Sequence, residues 1–158
     1  MTSKEVYEQR LDDAIAVMRR VIDQDLAFDM RHWYSDQGVF TAPFGTKAFN
    51  EGPECGTAAC FAGHIAKSPE FVKNGWYTIA YTPFWDQGRG DYTPRHIAQY
   101  FGWSEQFAED LCAASDGDYC DDYGYHYLYD VDCAEDISPE MVLNVLLEIK
   151  SGNLDPTQ

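Results

Sequence analysis

The residues best suited to chemistry lie in one short stretch, ECGTAACFAGHIA, at positions 54–66. Cys55, Cys60 and His64 are residue types that bind zinc, and a further cysteine could supply the fourth ligand. Cys60 and His64 are four positions apart, so on a helix they would share a face. The spacing disfavours a metal, because structural zinc sites usually combine two close ligand pairs. We therefore expect no metal and no other cofactor, and a zinc domain built on these three residues is the alternative.

The same stretch also fits a packed helix. Residues 57–67 are rich in alanine, which favours helix, and Ser68 with Pro69 should end it. The small side chains would let another helix approach closely, and Cys60 would be a small buried apolar residue. Because nothing at the N-terminus resembles a signal peptide, the five cysteines are expected to be thiols of a cytoplasmic protein.

A second concentration of chemically capable residues is the acidic, tyrosine-rich segment at about 115–137. The formal net charge is −16, and 13 Asp or Glu but no Lys or Arg lie between His96 and Ile149. Five tyrosines occupy eleven positions, and those from Tyr123 to Tyr129 alternate with period two. As a strand, this pattern would place four rings on one face.

Three interpretations of this segment are open. Asp116 and Asp118 begin like an EF-hand, but Asp121 and Tyr127 replace the required Gly and Glu, so only an irregular cation site remains. The segment could instead be a solvated loop that adds solubility. We favour a recognition surface, in which tyrosines anchor a basic partner and carboxylates mimic DNA phosphates. The predicted partner-binding residues are Asp116, Asp118, Tyr119, Asp121, Asp122, Tyr123, Tyr125, Tyr127, Tyr129, Asp130 and Asp132.

Helices are the elements expected to position these residues. Apolar residues spaced three and four apart predict a first helix at about 11–26, with Asp13 on its polar side. Thr93-Pro94 predicts the start of another helix with Thr93 as N-cap, and Ser138-Pro139 opens the last one. Gly102, Ser104 and Gly152 mark helix ends and starts.

The expected fold is mainly α, a single compact helical domain over residues 1–158. It would carry long aromatic and acidic loops and could include one small β-hairpin, near 76–82 or 123–131. Residues 83–92 are predicted to be a loop, because they contain Pro83, Gly88 and Gly90.

Charge excludes nucleic acid and anionic membranes as direct partners. Ala98, Gly102 and Leu111 have the offsets of a helix-turn-helix, but the second helix would carry Glu105, Glu109 and Asp110 and no cation. Binding duplex DNA requires cations that displace counterions from its phosphates. The familiar catalytic motifs are also absent from the sequence, so we predict a protein that is not an enzyme. A small enzyme using the loop aromatics and carboxylates is a third alternative.

FDMRHW at 28–33 and CGTAACFAGHIA at 55–66 resemble the motifs of a family of small, largely uncharacterised phage and prophage proteins. In that family FDMxxW is followed by CGTxxCxAG and then by a helical pair. The resemblance implies a phage-type origin and an α-rich fold, and it carries no catalytic residues. We predict a non-enzymatic, anti-defence type of inhibitor. It would bind a basic host protein in the host cytoplasm, such as a defence or nucleic-acid-binding enzyme, through a DNA-mimic-like surface.

Overall fold

The computed structural model describes residues 2–26, 28, 34–35, 58–79, 82–112, 128–129, 131 and 136–158. Helices hold most of these residues, as expected for a mainly α chain. The elements in chain order are α1 (Ser3–Asp23), β1 (Tyr34–Ser35), β2 (Ala58–Ala59), α2 (Phe61–Lys67), α3 (Pro69–Val72), β3 (Trp76–Ile79), β4 (Thr82–Trp85), α4 (Thr93–Phe101), α5 (Glu105–Cys112) and α6 (Pro139–Ser151). None of the helices described here is both long enough and apolar enough to cross a bilayer.

Helix α1 begins at a capping box, ahead of the apolar positions that predict the helix. The Thr2 hydroxyl accepts a hydrogen bond from the Glu5 amide, and the Glu5 carboxylate accepts one from the Thr2 amide. Its apolar side is buried as predicted, but Leu26 follows the helix end and is exposed. The prediction that Asp13 lies on the polar side was wrong. Asp13 is buried, and its carboxylate accepts a hydrogen bond from Gln9 Nε2 at 2.9 Å, which offsets part of the cost of burial.

Helix α2 begins at Phe61, four residues after the predicted start at position 57. Ala58–Ala59 instead pair antiparallel with Tyr34–Ser35, so backbone pairing with a distant segment overrides the helix preference of alanine. Cys60 takes the N-cap position with an extended backbone. Ser68 ends the helix as predicted, and Pro69 begins α3.

The predicted hairpin near 76–82 is confirmed. Strands β3 and β4 pair antiparallel, with Trp76 opposite Trp85 and Ile79 opposite Thr82. Side chains of β3 alternate, so Trp76 is buried while Tyr77 and Ile79 are exposed. The loop predicted for 83–92 was therefore wrong at its start, where β4 lies. The alternative hairpin at 123–131 lies mostly outside the described residues.

Helix α4 does not use Thr93 as its N-cap, contrary to the prediction. Tyr92 holds that position, and the buried Thr93 hydroxyl donates to the Pro83 carbonyl at 2.8 Å, which links α4 to β4. The helix ends at Gly102, whose φ of 74° lies in the left-handed region. Ser104 then caps α5, because its hydroxyl accepts from the Phe107 amide at 3.0 Å.

The side chain of His96 connects α4 by hydrogen bonds to β4 and to the turn that follows it. The imidazole is 2% exposed, and its Nδ1 accepts a hydrogen bond from the Trp85 amide at 2.9 Å. Its Nε2 lies 2.9 Å from the Gly90 carbonyl, so the proton belongs on Nε2. A Cβ at Gly88 would lie 2.3 Å from Nδ1, so the backbone approaches the ring as closely as a glycine permits.

Helix α6 follows its prediction closely. The Ser138 hydroxyl accepts from the Met141 amide at 3.2 Å, and Gly152 ends the helix with a φ of 82°. It packs along α1, where Lys150 also forms an ion pair with Asp12. The core between the elements is strongly aromatic. Around the Tyr100 ring lie Phe71, Trp76, Trp85 and Phe101, with ring centroids between 5.0 and 5.5 Å away.

Candidate functional site

Tyr129, one of the described residues of the acidic, tyrosine-rich segment, is anchored to the core beside the end of α5. Leu111 lies near the end of α5, and the next described residues after Cys112 are Leu128 and Tyr129. The Tyr129 hydroxyl donates to the Leu111 carbonyl at 2.5 Å, and the ring is 4% exposed. Positions 111 and 129 therefore lie next to each other on the core.

Tyr129 was predicted to present its ring to a partner, and that prediction was wrong. Its burial raises the pKa of the phenol well above the ordinary value, and the nearby Cys112, Cys60 and Asp110 raise it further. The period-two pattern is misleading at this end, because Leu128 is helical and Tyr129 lies in a turn. The other ten predicted contact residues lie outside the described residues.

Exposed carboxylates lie on and just before α6, and one of them, Glu148, is beside Tyr129. Helix α6 carries Glu140 and Glu148 on its exposed side, and Asp136 precedes it. Within the described part of the chain, none of these three contacts a cation. Glu148 also lines a small cavity of about 300 Å³ together with Leu128, Tyr129, Met141, Asn144, Val145, Asn153 and Leu154. Tyr129 of the acidic segment therefore lies beside Glu148 on the exposed side of α6.

Helix α5, which carries Leu111, adds the carboxyl group of Asp110 close to Tyr129. Burial raises the pKa of Asp110, although a hydrogen bond from Gln106 opposes this. Burial together with the carboxylates of Glu109 and Glu105 raises the pKa of Tyr92 to about 12. Glu105 is paired with a cation, Arg95, at 3.2 Å. The neighbourhood of the anchor therefore favours protonated or cationic groups.

The cysteine and histidine stretch is built as a packed helix start. Cys60 is fully buried at the N-cap of α2, and His64, one turn into the helix, stacks on Phe28 with ring centroids 5.9 Å apart. Cys55 lies outside the described residues. Among the described residues, no three His, Cys, Asp or Glu side chains are grouped as a metal site would require.

Cys112 is a second cysteine of the core, and burial next to Cys60 raises the pKa of its thiol well above the usual value. A thiol with a raised pKa is protonated at neutral pH and is a weak nucleophile.

A groove that the sequence did not reveal lies where α1, the end of α4 and the C-terminal residues meet. Its volume is about 800 Å³, and it is lined by Ser3, Val6, Tyr7, Arg10, Gln99, Tyr100, Phe101, Gly102, Ile149, Gly152, Leu154, Asp155, Pro156 and Thr157. Arg10 Nη1 donates to the Tyr100 carbonyl at 2.7 Å, and the guanidinium lies 4.1 Å from the Tyr100 ring centroid. Because Arg10 and Tyr100 are 90 positions apart, no local pattern indicates their contact.

Comparisons of the chain with protein-family models, with curated proteins and with solved structures find no match. The residues themselves therefore carry the functional argument.

Proposed function

We propose that this chain is a non-enzymatic binding protein of phage type that inhibits a basic host protein. The partner would be a defence or nucleic-acid-binding enzyme. The contact would be made by the acidic, tyrosine-rich segment, and the flanking carboxylates of α5 and α6 would extend it. Carboxylates replace the phosphates of DNA in such a contact, and tyrosines supply apolar area at low entropic cost.

The observation that carries the proposal is the hydrogen bond between Tyr129 and Leu111. It holds position 129 next to position 111, and four aspartates and four tyrosines of the sequence lie between these two positions. Like charges near one another repel, and this repulsion raises the free energy of the folded state. A cationic partner relieves that repulsion on binding.

The position of the segment adds support. It is anchored beside Glu148, and Glu140 and Asp136 also lack a cation partner within the described residues. The resemblance of FDMRHW and CGTAACFAGHIA to phage proteins suggests the setting, a host cell in which defence enzymes that bind nucleic acid are targets.

The test begins with capture of host proteins on the immobilised chain at about 0.1 M salt, followed by purification of the captured partner. Raising the salt to about 0.5 M should release it, because the Debye length falls well below the roughly 10 Å it has at 0.1 M. Absence of a partner at low salt, or a partner held equally at high salt, contradicts the proposal.

A matched pair of variants then locates the contact on the chain. The first replaces four aspartates of the predicted surface with asparagine: Asp121, Asp122, Asp130 and Asp132. The control makes the same change in charge at exposed aspartates elsewhere: Asp23, Asp25, Asp86 and Asp91. We expect the first variant to lose at least about tenfold in affinity for the purified partner and the control to lose much less. Equal losses would show that overall charge, and not this surface, makes the contact.

A further inference from the structure

Arg10 is a half-buried cation with no carboxylate in contact among the residues that the structure describes. Its guanidinium contacts the Tyr100 carbonyl and lies over the rings of Tyr100 and Trp85. Three other cations of the same chain, Arg20, Arg95 and Lys150, each form an ion pair with a carboxylate. Arg10 also lines a groove, so its guanidinium is placed to meet an anion that enters there.

One role of Arg10 is structural. The Tyr100 carbonyl belongs to the last turn of α4, where carbonyls have no partner within the helix and a cation is favourable. This contact uses one of the five N–H groups of the guanidinium. The ring of Tyr100 covers a face of the group at 4.1 Å, and Trp85 lies 5.4 Å away. A guanidinium has further N–H groups, and in the groove that Arg10 lines these can donate to a planar oxyanion.

The groove beside Arg10 suits the remainder of such a ligand. Its volume of about 800 Å³ falls within the range of small-molecule sites. Apolar side chains line part of it, including Val6, Phe101, Ile149 and Leu154. Asp155 lines it too and would repel a second negative charge.

We propose that this groove binds an organic monocarboxylate whose apolar body lies on these walls and whose carboxylate is held by Arg10. Phosphate esters are disfavoured by their second charge. The site shares no residue with the acidic, tyrosine-rich segment, so it is independent of the function proposed above.

Two probes that differ only in charge test the site. 4-Phenylbutyrate carries the carboxylate, and 4-phenylbutanamide replaces it with a neutral amide. Calorimetric titration at pH 7 should show saturable binding of the carboxylate and at least about tenfold weaker binding of the amide, because a charge-assisted hydrogen bond is worth that factor or more. Amide shifts in a nitrogen-15 spectrum should centre on Val6, Gln99 and Leu154. Equal affinity for the two probes, no saturable binding of either, or shifts centred elsewhere would overturn the proposal.

Variants assign the charge to Arg10. Arg10→Gln removes the cation and retains an amide that can donate to the Tyr100 carbonyl. Arg19→Gln is the control, because Arg19 is exposed on the same helix and does not line the groove. We expect Arg10→Gln to weaken carboxylate binding at least about tenfold with little effect on the amide, and Arg19→Gln to change either by less than about twofold.

Val6→Trp keeps the test decisive if Arg10→Gln fails to fold. It fills the groove, leaves Arg10 in place and should weaken both probes at least about tenfold. Unchanged carboxylate binding in a folded Arg10→Gln protein, or in Val6→Trp, would refute the assignment.

Discussion

Replacing Gly88 with alanine should destabilise the protein, although the local backbone alone predicts the opposite. Gly88 does not adopt a positive φ, and at such positions Gly→Ala usually stabilises by about 0.4–1 kcal/mol through the unfolded state. Here the added Cβ would lie 2.3 Å from His96 Nδ1, so the ring would have to move by about 1 Å to restore ordinary contact. The sign of the change in unfolding free energy therefore decides between the two effects.

The expected magnitude follows from what holds the ring. A shift of that size breaks the hydrogen bond from the Trp85 amide to Nδ1, now 2.9 Å long, and strains the one to the Gly90 carbonyl. Leaving the buried Trp85 amide without an acceptor costs about 1–3 kcal/mol, and loss of the second bond adds about 1 kcal/mol. After the gain in the unfolded state is subtracted, the Gly88→Ala protein should be about 2–3 kcal/mol less stable.

Urea denaturation of four proteins tests this reasoning: wild type, Gly88→Ala, His96→Ala and the double variant. Once the ring is absent, the alanine has nothing to strike, so in the His96→Ala background the same change should be neutral or stabilising by up to about 1 kcal/mol. Gly102→Ala is the control for a purely conformational effect, because no atom lies within 4 Å of its Cβ while φ is 74°. A Gly88→Ala protein as stable as wild type, or one with the same loss in both backgrounds, would refute the reasoning.

Three further predictions follow from groups with shifted pKa values. Asp110→Asn should stabilise the protein at pH 7 by about 0.5–1 kcal/mol, because the carboxylate is partly buried near a helix C-terminus. Because burial raises the pKa of Asp110 in the folded state, the gain should shrink as the pH falls through that raised pKa and should be absent below the ordinary Asp pKa. Glu70→Gln should cost up to about 1 kcal/mol at pH 7, because Arg20 lowers the pKa of Glu70. That stability is present above the ordinary carboxyl pKa and is lost as the pH falls through the lowered one. Absorbance titration of the phenols should show a component near pH 12 that Tyr92→Phe removes and Glu109→Gln moves to lower pH.

Each of these predictions has an outcome that contradicts it. Unfolding free energies measured in urea between pH 2.5 and 7 serve for both carboxyl variants. An Asp110→Asn gain that is equal at pH 3 and pH 7 would mean that the carboxylate charge is not its cause. A Glu70→Gln loss that persists at pH 2.5 would assign the effect to packing. A titration curve identical in wild type and Tyr92→Phe would mean that Tyr92 is not the phenol that titrates near pH 12.

The elements that sequence predicts well are those whose signals are local. Ser138, Pro139 and Gly152 lie next to the helix they delimit, so the bounds of α6 could be read directly. The hairpin is likewise short and continuous, and β-forming residues at 76–79 indicate its first strand.

The predictions that failed depend on distant partners. Ala58–Ala59 form a strand because Tyr34–Ser35 lie beside them, and nothing in the alanine-rich stretch indicates this. Thr93 has the residue type and the position of an N-cap. Its hydroxyl instead donates a hydrogen bond to the carbonyl of Pro83 in β4. Propensity describes what a residue prefers alone, whereas tertiary contacts decide how its polar group is used.

The candidate site likewise has features that the sequence indicates and features that depend on distant contacts. Composition identifies the acidic, tyrosine-rich segment as unusual, but it cannot indicate that Tyr129 turns inward to the Leu111 carbonyl. The sequence does not predict a binding role for Arg10, because a single arginine on an amphipathic helix has no distinguishing pattern. Its stacking on Tyr100 arises only when α1 meets the end of α4.

The hydrogen bond between Tyr129 and Leu111 brings positions 111 and 129 together on the core, and from this we expect the core to tolerate changes in the sequence between them. A closed loop costs only about 0.6 kcal/mol more for each doubling of its length, so insertions and deletions between the two anchors are tolerated by the core. Exchanging residues 113–127 for a glycine-serine linker, with Leu111 and Tyr129 retained, should leave the unfolding free energy within about 1 kcal/mol of wild type. Under the function proposed above, the recognition sequence could change while the helices that hold it stay the same.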